Sequence, residues 1–159
     1  MTDQLHQLNM NYVAAEDRLM LRMNTQAGDE YRVWLTRRFT GLLVELLSKE
    51  IDKHGGIPTL ASTPETKKLF KQGAMEKPYE EEKIINYPLG EAGFLASKIN
   101  YKSTEEGVLA LEILPEKGKG INLNLNKTLL FMFYNLLAQG CSQSGWKLIE
   151  NSPSEKNIH

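Results

Sequence analysis

A single cysteine, Cys141, rules out a disulfide or a cysteine-only metal cluster within one chain, and a reducing cytoplasm is its simplest compartment. Long apolar runs are missing too. The longest, Leu129 to Tyr134, suits a core segment and falls far short of a membrane span. Residues 1–12 carry neither a basic nor a continuous apolar stretch, so no secretion leader is expected. Net charge is also lacking: 19 basic and 20 acidic residues leave a formal charge of -1, and no whole-molecule field steers a polyanion. A nucleic-acid surface on this chain would have to be a local patch.

Chemistry-bearing residues are equally sparse. His6, His54 and His159 lie far apart with no partner at ligand spacing, which argues against a metal site or a general base. Cys141 follows a glycine and has no neighbouring histidine, so packing suits it better than nucleophilic attack. The carboxylate pairs Glu16-Asp17 and Glu105-Glu106 sit in expected turns, where solubility accounts for them. The glycines of Glu116-Lys117-Gly118-Lys119-Gly120 fit neither the P-loop nor the dinucleotide pattern and read as a basic hairpin turn. No catalytic residue, metal ligand or cofactor contact is therefore assigned.

What is present is a folded composition and a repeat. The 159 residues are 41% hydrophobic and 25% charged, which fits one compact domain. Leu19, Leu21 and Met23 fall on Leu109, Leu111 and Ile113 at an offset of 90, without a gap. Gly28 falls on Gly118, and Val33 with Leu35 on Leu123 with Leu125. Phe39, Leu42, Leu43, Leu46 and Leu47 fall on Leu129, Met132, Phe133, Leu136 and Leu137. The apolar period switches from two to a helical period at the same point in both segments, as a duplicated strand-to-helix unit would require.

The expected fold class is α+β: antiparallel sheet covered by helices, with pseudo-repeats at about 5–56 and 94–146 joined by a connector at 57–93. In the first repeat Leu8-Met10-Tyr12, Leu19-Leu21-Met23 and Tyr31-Val33-Leu35 read as strands. Thr36 caps a helix whose core stripe is Phe39, Leu42, Leu43, Leu46, Leu47 and Ile51, ended by His54-Gly55-Gly56. The second repeat reads as strands over Phe94 to Tyr101, Val108 to Leu114 and Ile121 to Leu125, then a helix capped by Asn126. That helix is apolar on nearly every side from Leu129 to Leu137, which predicts a layer on each side of it, within the monomer or in a dimer. In the connector, Thr63-Pro64-Glu65 opens a short helix anchored by Leu69 and Phe70 and ended at Gly73, and Lys83 to Tyr87 offers an extra strand.

Six residues stand out as a candidate anion or nucleic-acid site. Arg18, Arg22 and Arg32 share the outer hairpin face with Trp34 by alternation, the minimum for stacking and neutralising a single strand. Arg37 and Arg38 sit in the first helical turn, against the macrodipole. They read either as an anion site or as partners of Glu16, Asp17 or Glu30 at a domain or subunit contact. Trp34 reads equally as covered by the connector or by another subunit.

The stretch from Glu16-Asp17-Arg18-Leu19 to Trp34-Leu35-Thr36-Arg37-Arg38-Phe39 resembles a signature of small uncharacterised bacterial proteins, a resemblance that implies no activity. In outline the sheet-then-helix halves are similar to the single-stranded nucleic-acid binders of the PUR-repeat and Whirly type, whose repeats carry four strands against the three read here. That likeness implies curved antiparallel sheets backed by helices. The expected class is a non-enzymatic interaction or regulatory protein in the cytoplasm, homodimeric through a helix or sheet edge and open to a protein partner. The alternative is single-stranded nucleic-acid or polyanion binding through Arg18, Arg22, Arg32, Trp34, Arg37 and Arg38.

Overall fold

In the computed structural model, which describes residues 5–71, 79–104 and 109–149, the two halves fold alike at the expected offset. The first half runs β1 (Leu5–Val13), β2 (Arg18–Thr25), β3 (Glu30–Leu35) and α1 (Arg37–Lys53). The connector holds α2 (Ile57–Ala61) and α3 (Pro64–Lys71), and β4 (Phe94–Leu95) follows it directly. The second half runs β5 (Lys98–Ser103), β6 (Leu109–Leu114), β7 (Ile121–Leu125) and α4 (Lys127–Ser144). The fold is α+β, with largely antiparallel sheets packed against helices and a repeated strand-strand-strand-helix unit.

The repeat extends to turns and caps. Gly28 and Gly118 both take positive φ, 92° and 104°, in the two hairpin turns. Thr36 and Asn126 each accept a hydrogen bond from the backbone N–H three residues on, at 3.1 and 2.9 Å. Leu19, Leu21 and Met23 are buried, and so are their counterparts Leu109, Leu111 and Ile113.

Two sheets result, in the orders β1-β2-β3-β4 and β5-β6-β7. The chain passes between them within two residues: the Ala96 N–H donates to the Trp34 carbonyl of the first sheet, and the Ser97 N–H donates to the Leu114 carbonyl of the second. One cluster of buried apolar side chains joins both halves, because the helices cross over. α4 packs on β1, with Gly140 lying against Leu19 and Met10. α1 reaches the second sheet through the buried Glu50, whose Oε2 accepts from Ser103 Oγ at 2.8 Å. Within the chain α4 packs against β1, α1 and α2.

The structure differs from the sequence-based expectations at several points. Leu42 is 47% exposed rather than core: the buried stripe of α1 runs through Phe39, Leu43, Leu47 and Ile51, which puts Leu42 at its outer margin. The expected strand Phe94 to Tyr101 is broken where the chain changes sheets, and its first piece joins the first sheet as a fourth strand, parallel to β3. Lys83 to Tyr87 forms no strand; a 3-10 turn at Glu81–Lys83 precedes a single bridge from Asn86 to Asp29. Val108, Gly73 and the side chains of Leu69 and Phe70 lie outside the described residues.

Candidate functional site

The register of the first sheet aligns Asn9, Arg22 and Arg32 across its outer face, with Trp34 two residues along β3. The described part of the connector crosses this face as a strap. Arg22 Nη1 donates to Glu81 Oε1 at 2.6 Å, its Nε donates to Asn9 Oδ1 at 3.1 Å, and its guanidinium lies 4.4 Å from the Tyr79 ring centre. Arg32 Nε donates to Glu30 Oε2 at 2.6 Å, its Nη1 donates to the Glu91 carbonyl, and it stacks at 4.9 Å over Tyr87. Trp34 Nε1 donates to the Ala92 carbonyl at 3.1 Å.

Glu30 is the hidden centre of this arrangement, 1% exposed, with Arg32 on one oxygen and the Tyr79 hydroxyl donating to the other at 2.8 Å. Burial, and then that hydrogen bond to a carboxylate, push the Tyr79 phenol well above its ordinary range, so it stays a donor at any physiological pH. At the strap's near end Glu80 bonds Lys83 and His6, and at its centre Glu81 bonds Arg22. These hydrogen bonds hold both carboxyls below the usual carboxylate range. The face is thus closed by charge pairing and cation–π contact within the chain.

The six candidate residues therefore divide into two groups. Arg22, Arg32 and Trp34 are held beneath the strap. Arg18, Arg37 and Arg38 gather at one end of the first sheet, because Leu19 pairs with Leu35. Arg37 and Arg38 are exposed and form no ion pair with a described residue. The acids expected for them have other partners: Glu16 lies 3.7 Å from Arg18, Asp17 accepts from Tyr12, and Glu30 belongs to Arg32 and Tyr79.

A second feature lies at the opposite edge of the same sheet. Among the described strands β1 pairs with β2 alone, and beside its outer edge runs a groove of about 480 Å³ whose apolar walls are Leu5, Leu8, Leu129, Met132 and Leu136. Gln143 of α4 accepts the outward Tyr12 N–H at 3.2 Å, and Trp146 closes that end edge-on against the Tyr12 ring. By strand alternation the peptide groups of Leu8 and Met10 point the same way. Sequence reasoning missed this groove, and the pairing of Tyr79, Glu81 and Tyr87 with the arginines of the sheet, since each depends on a contact across the chain.

Among the described residues no group of three His, Cys, Asp or Glu side chains is placed to hold a metal ion, and no helix is long and apolar enough to cross a membrane. No family model, curated protein or solved structure matches this chain.

Proposed function

We propose that this chain is a non-enzymatic interaction protein of the cytoplasm that forms a homodimer by pairing the β1 edges of two copies. The observation that carries this reading is the outer edge of β1, which no described strand takes and of which Gln143 covers only the Tyr12 end, beside a groove with apolar walls. An unpaired edge of that length is a template for another strand, and a two-fold axis across it brings the same patch of each copy to the other. Leu129, Met132 and Leu136 of each α4 then cover the partner's Leu5 and Leu8.

Sedimentation velocity tests the pairing. A dimer is expected in the micromolar range, weakened at least about tenfold by Leu8→Pro, which removes an outward N–H without cutting the ladder to β2. Met132→Glu, which places a charge in the groove, has the same expected effect. A monomer at all concentrations, or a dimer indifferent to both changes, ends the reading.

A second reading, polyanion binding, is favoured by the exposure of Arg37 and Arg38 near Arg18. It predicts anisotropy changes with mixed-sequence single-stranded DNA or RNA that fall with salt, by a slope of about -0.7 per phosphate neutralised. Replacing both Arg37 and Arg38 with Ala abolishes them. Silence at low salt rules it out.

A further inference from the structure

The two halves treat the same face differently. On the first sheet the strap takes the outer edge of β3: the Glu30 N–H donates to the Asn86 carbonyl, the Ile85 N–H donates to the Gly28 carbonyl, and β4 adds as a parallel strand beside Val33 and Trp34. Gly93 lies so close to the Arg32 carbonyl that a Cβ there would sit 2.6 Å from it. At the offset of 90, β7 is the counterpart of β3, Asn122 of Arg32, and Asn124 of Trp34. No described strand takes the outer edge of β7. Arg32 and Trp34 are partly buried by the strap, whereas Asn122 and Asn124 are exposed.

The face beside that edge is a shallow hollow of about 380 Å³ floored by Ala110 and walled by Asn100, Lys102, Glu112, Asn122 and Asn124. Its one carboxylate, Glu112, already accepts from the Asn100 amide at 2.9 Å. Among the described residues on the strands, turn and helix start that surround it, Lys98, Lys102, Lys117, Lys119 and Lys127 are exposed, against the exposed Glu116. Amides suited to peptide groups, an edge that no described strand takes and a lysine rim complement the chemistry of the chain's own strap, which carries Tyr79-Glu80-Glu81-Glu82 and then a glycine at the point of closest approach.

We infer that the outer edge of β7 and the adjoining face of the second sheet bind an extended acidic segment of a partner protein. The segment lies parallel to β7 as β4 lies parallel to β3, with a glycine against Asn122. Main-chain pairing supplies affinity, and the lysine rim selects for acidic sequence. This inference is independent of dimerisation, which uses β1 at the far edge of the other sheet.

The probe is a fluorescein-labelled peptide with the sequence of residues 79–96 of this chain, titrated into the full-length protein by anisotropy. Saturable binding is expected. It weakens about tenfold or more with Asn124→Pro, which removes an outward N–H, and with the exposed-turn change Lys119→Glu, which keeps the fold and reverses one rim charge. It also weakens when the peptide's own glycine opposite Asn122 is replaced by Val. Amide shifts should fall on residues 98–103, 109–114 and 119–125, and Leu8→Pro should leave the affinity unchanged. The inference is overturned if the peptide fails to bind, if a scrambled peptide binds equally, if both protein variants bind normally, or if the shifts fall on residues 18–35, where the peptide would be exchanging with the strap. Self-association through β7 that excludes the peptide also overturns it, since the occupant is then a second copy.

Discussion

Tyr79 shows how one hydroxyl holds a segment in place. It caps a buried carboxylate whose other oxygen is taken by Arg32, so Tyr79→Phe leaves Glu30 Oε1 without its donor. A loss of about 1–3 kcal/mol is expected, read from urea unfolding, with Arg32 still in place. Glu81 adds a pH dependence. Its carboxyl is held below the ordinary value of about 4.3 by the Arg22 hydrogen bond, so its attraction for Arg22, which holds the strap down, is complete above that value and is lost as pH falls through the lower folded value. Acidification below about pH 4 should therefore shift Trp34 emission as the Ala92 contact opens, and Glu81→Gln should flatten that step. A shift unchanged by Glu81→Gln would assign the step to another carboxylate.

The paired elements provide internal controls. Gly28 and Gly118 have nearly the same backbone, but a Cβ on Gly28 would meet Ile85 Cγ1 at 2.8 Å and the Lys83 carbonyl at 2.9 Å, whereas one on Gly118 would meet nothing within 4 Å. Gly118→Ala should cost only the strain of a positive φ, about 1–2 kcal/mol. Gly28→Ala should cost more and should also raise hydrogen exchange at the amides of Ile85 and Asn86, which bond the Gly28 carbonyl. Equal exchange in the two variants would detach the strap from that turn. At this scale alternation and capping residues located β1, β2, β3, β6, β7 and both long helices, because these elements bury one face and satisfy their ends locally. That the connector covers Trp34 was one of two readings the sequence left open, but the individual bonds of the strap were not legible. Its residues bond a sheet face many positions away, and neither periodicity nor turn chemistry records that.

Across the whole molecule, the crossing of the helices makes the halves interdependent. Phe133 is completely buried in the one cluster that spans both sheets. Phe133→Ala should cost about 3–5 kcal/mol. In a Trp146→Phe background, where Trp34 is the one tryptophan left to emit, it should also lower the unfolding midpoint of the Trp34 signal as much as that of the overall helical signal. Two separated transitions would show that the halves fold independently and that the shared cluster contributes little to cooperativity.

Leu19, Leu109 and their companions carry the duplication in their apolar pattern, and with it the α+β class, the places of the repeated strands and of the two long helices, and the basic alternation of Arg18, Arg22 and Arg32. These are local properties, written within a few residues of where they act. Which arginines remain open, which sheet edge is taken and which is free, and which helix packs on which sheet were decided only by the tertiary structure. Two repeats of nearly the same pattern diverged there: a connector long enough to fold back reaches β3 and closes one face, while no described strand closes the equivalent edge of β7.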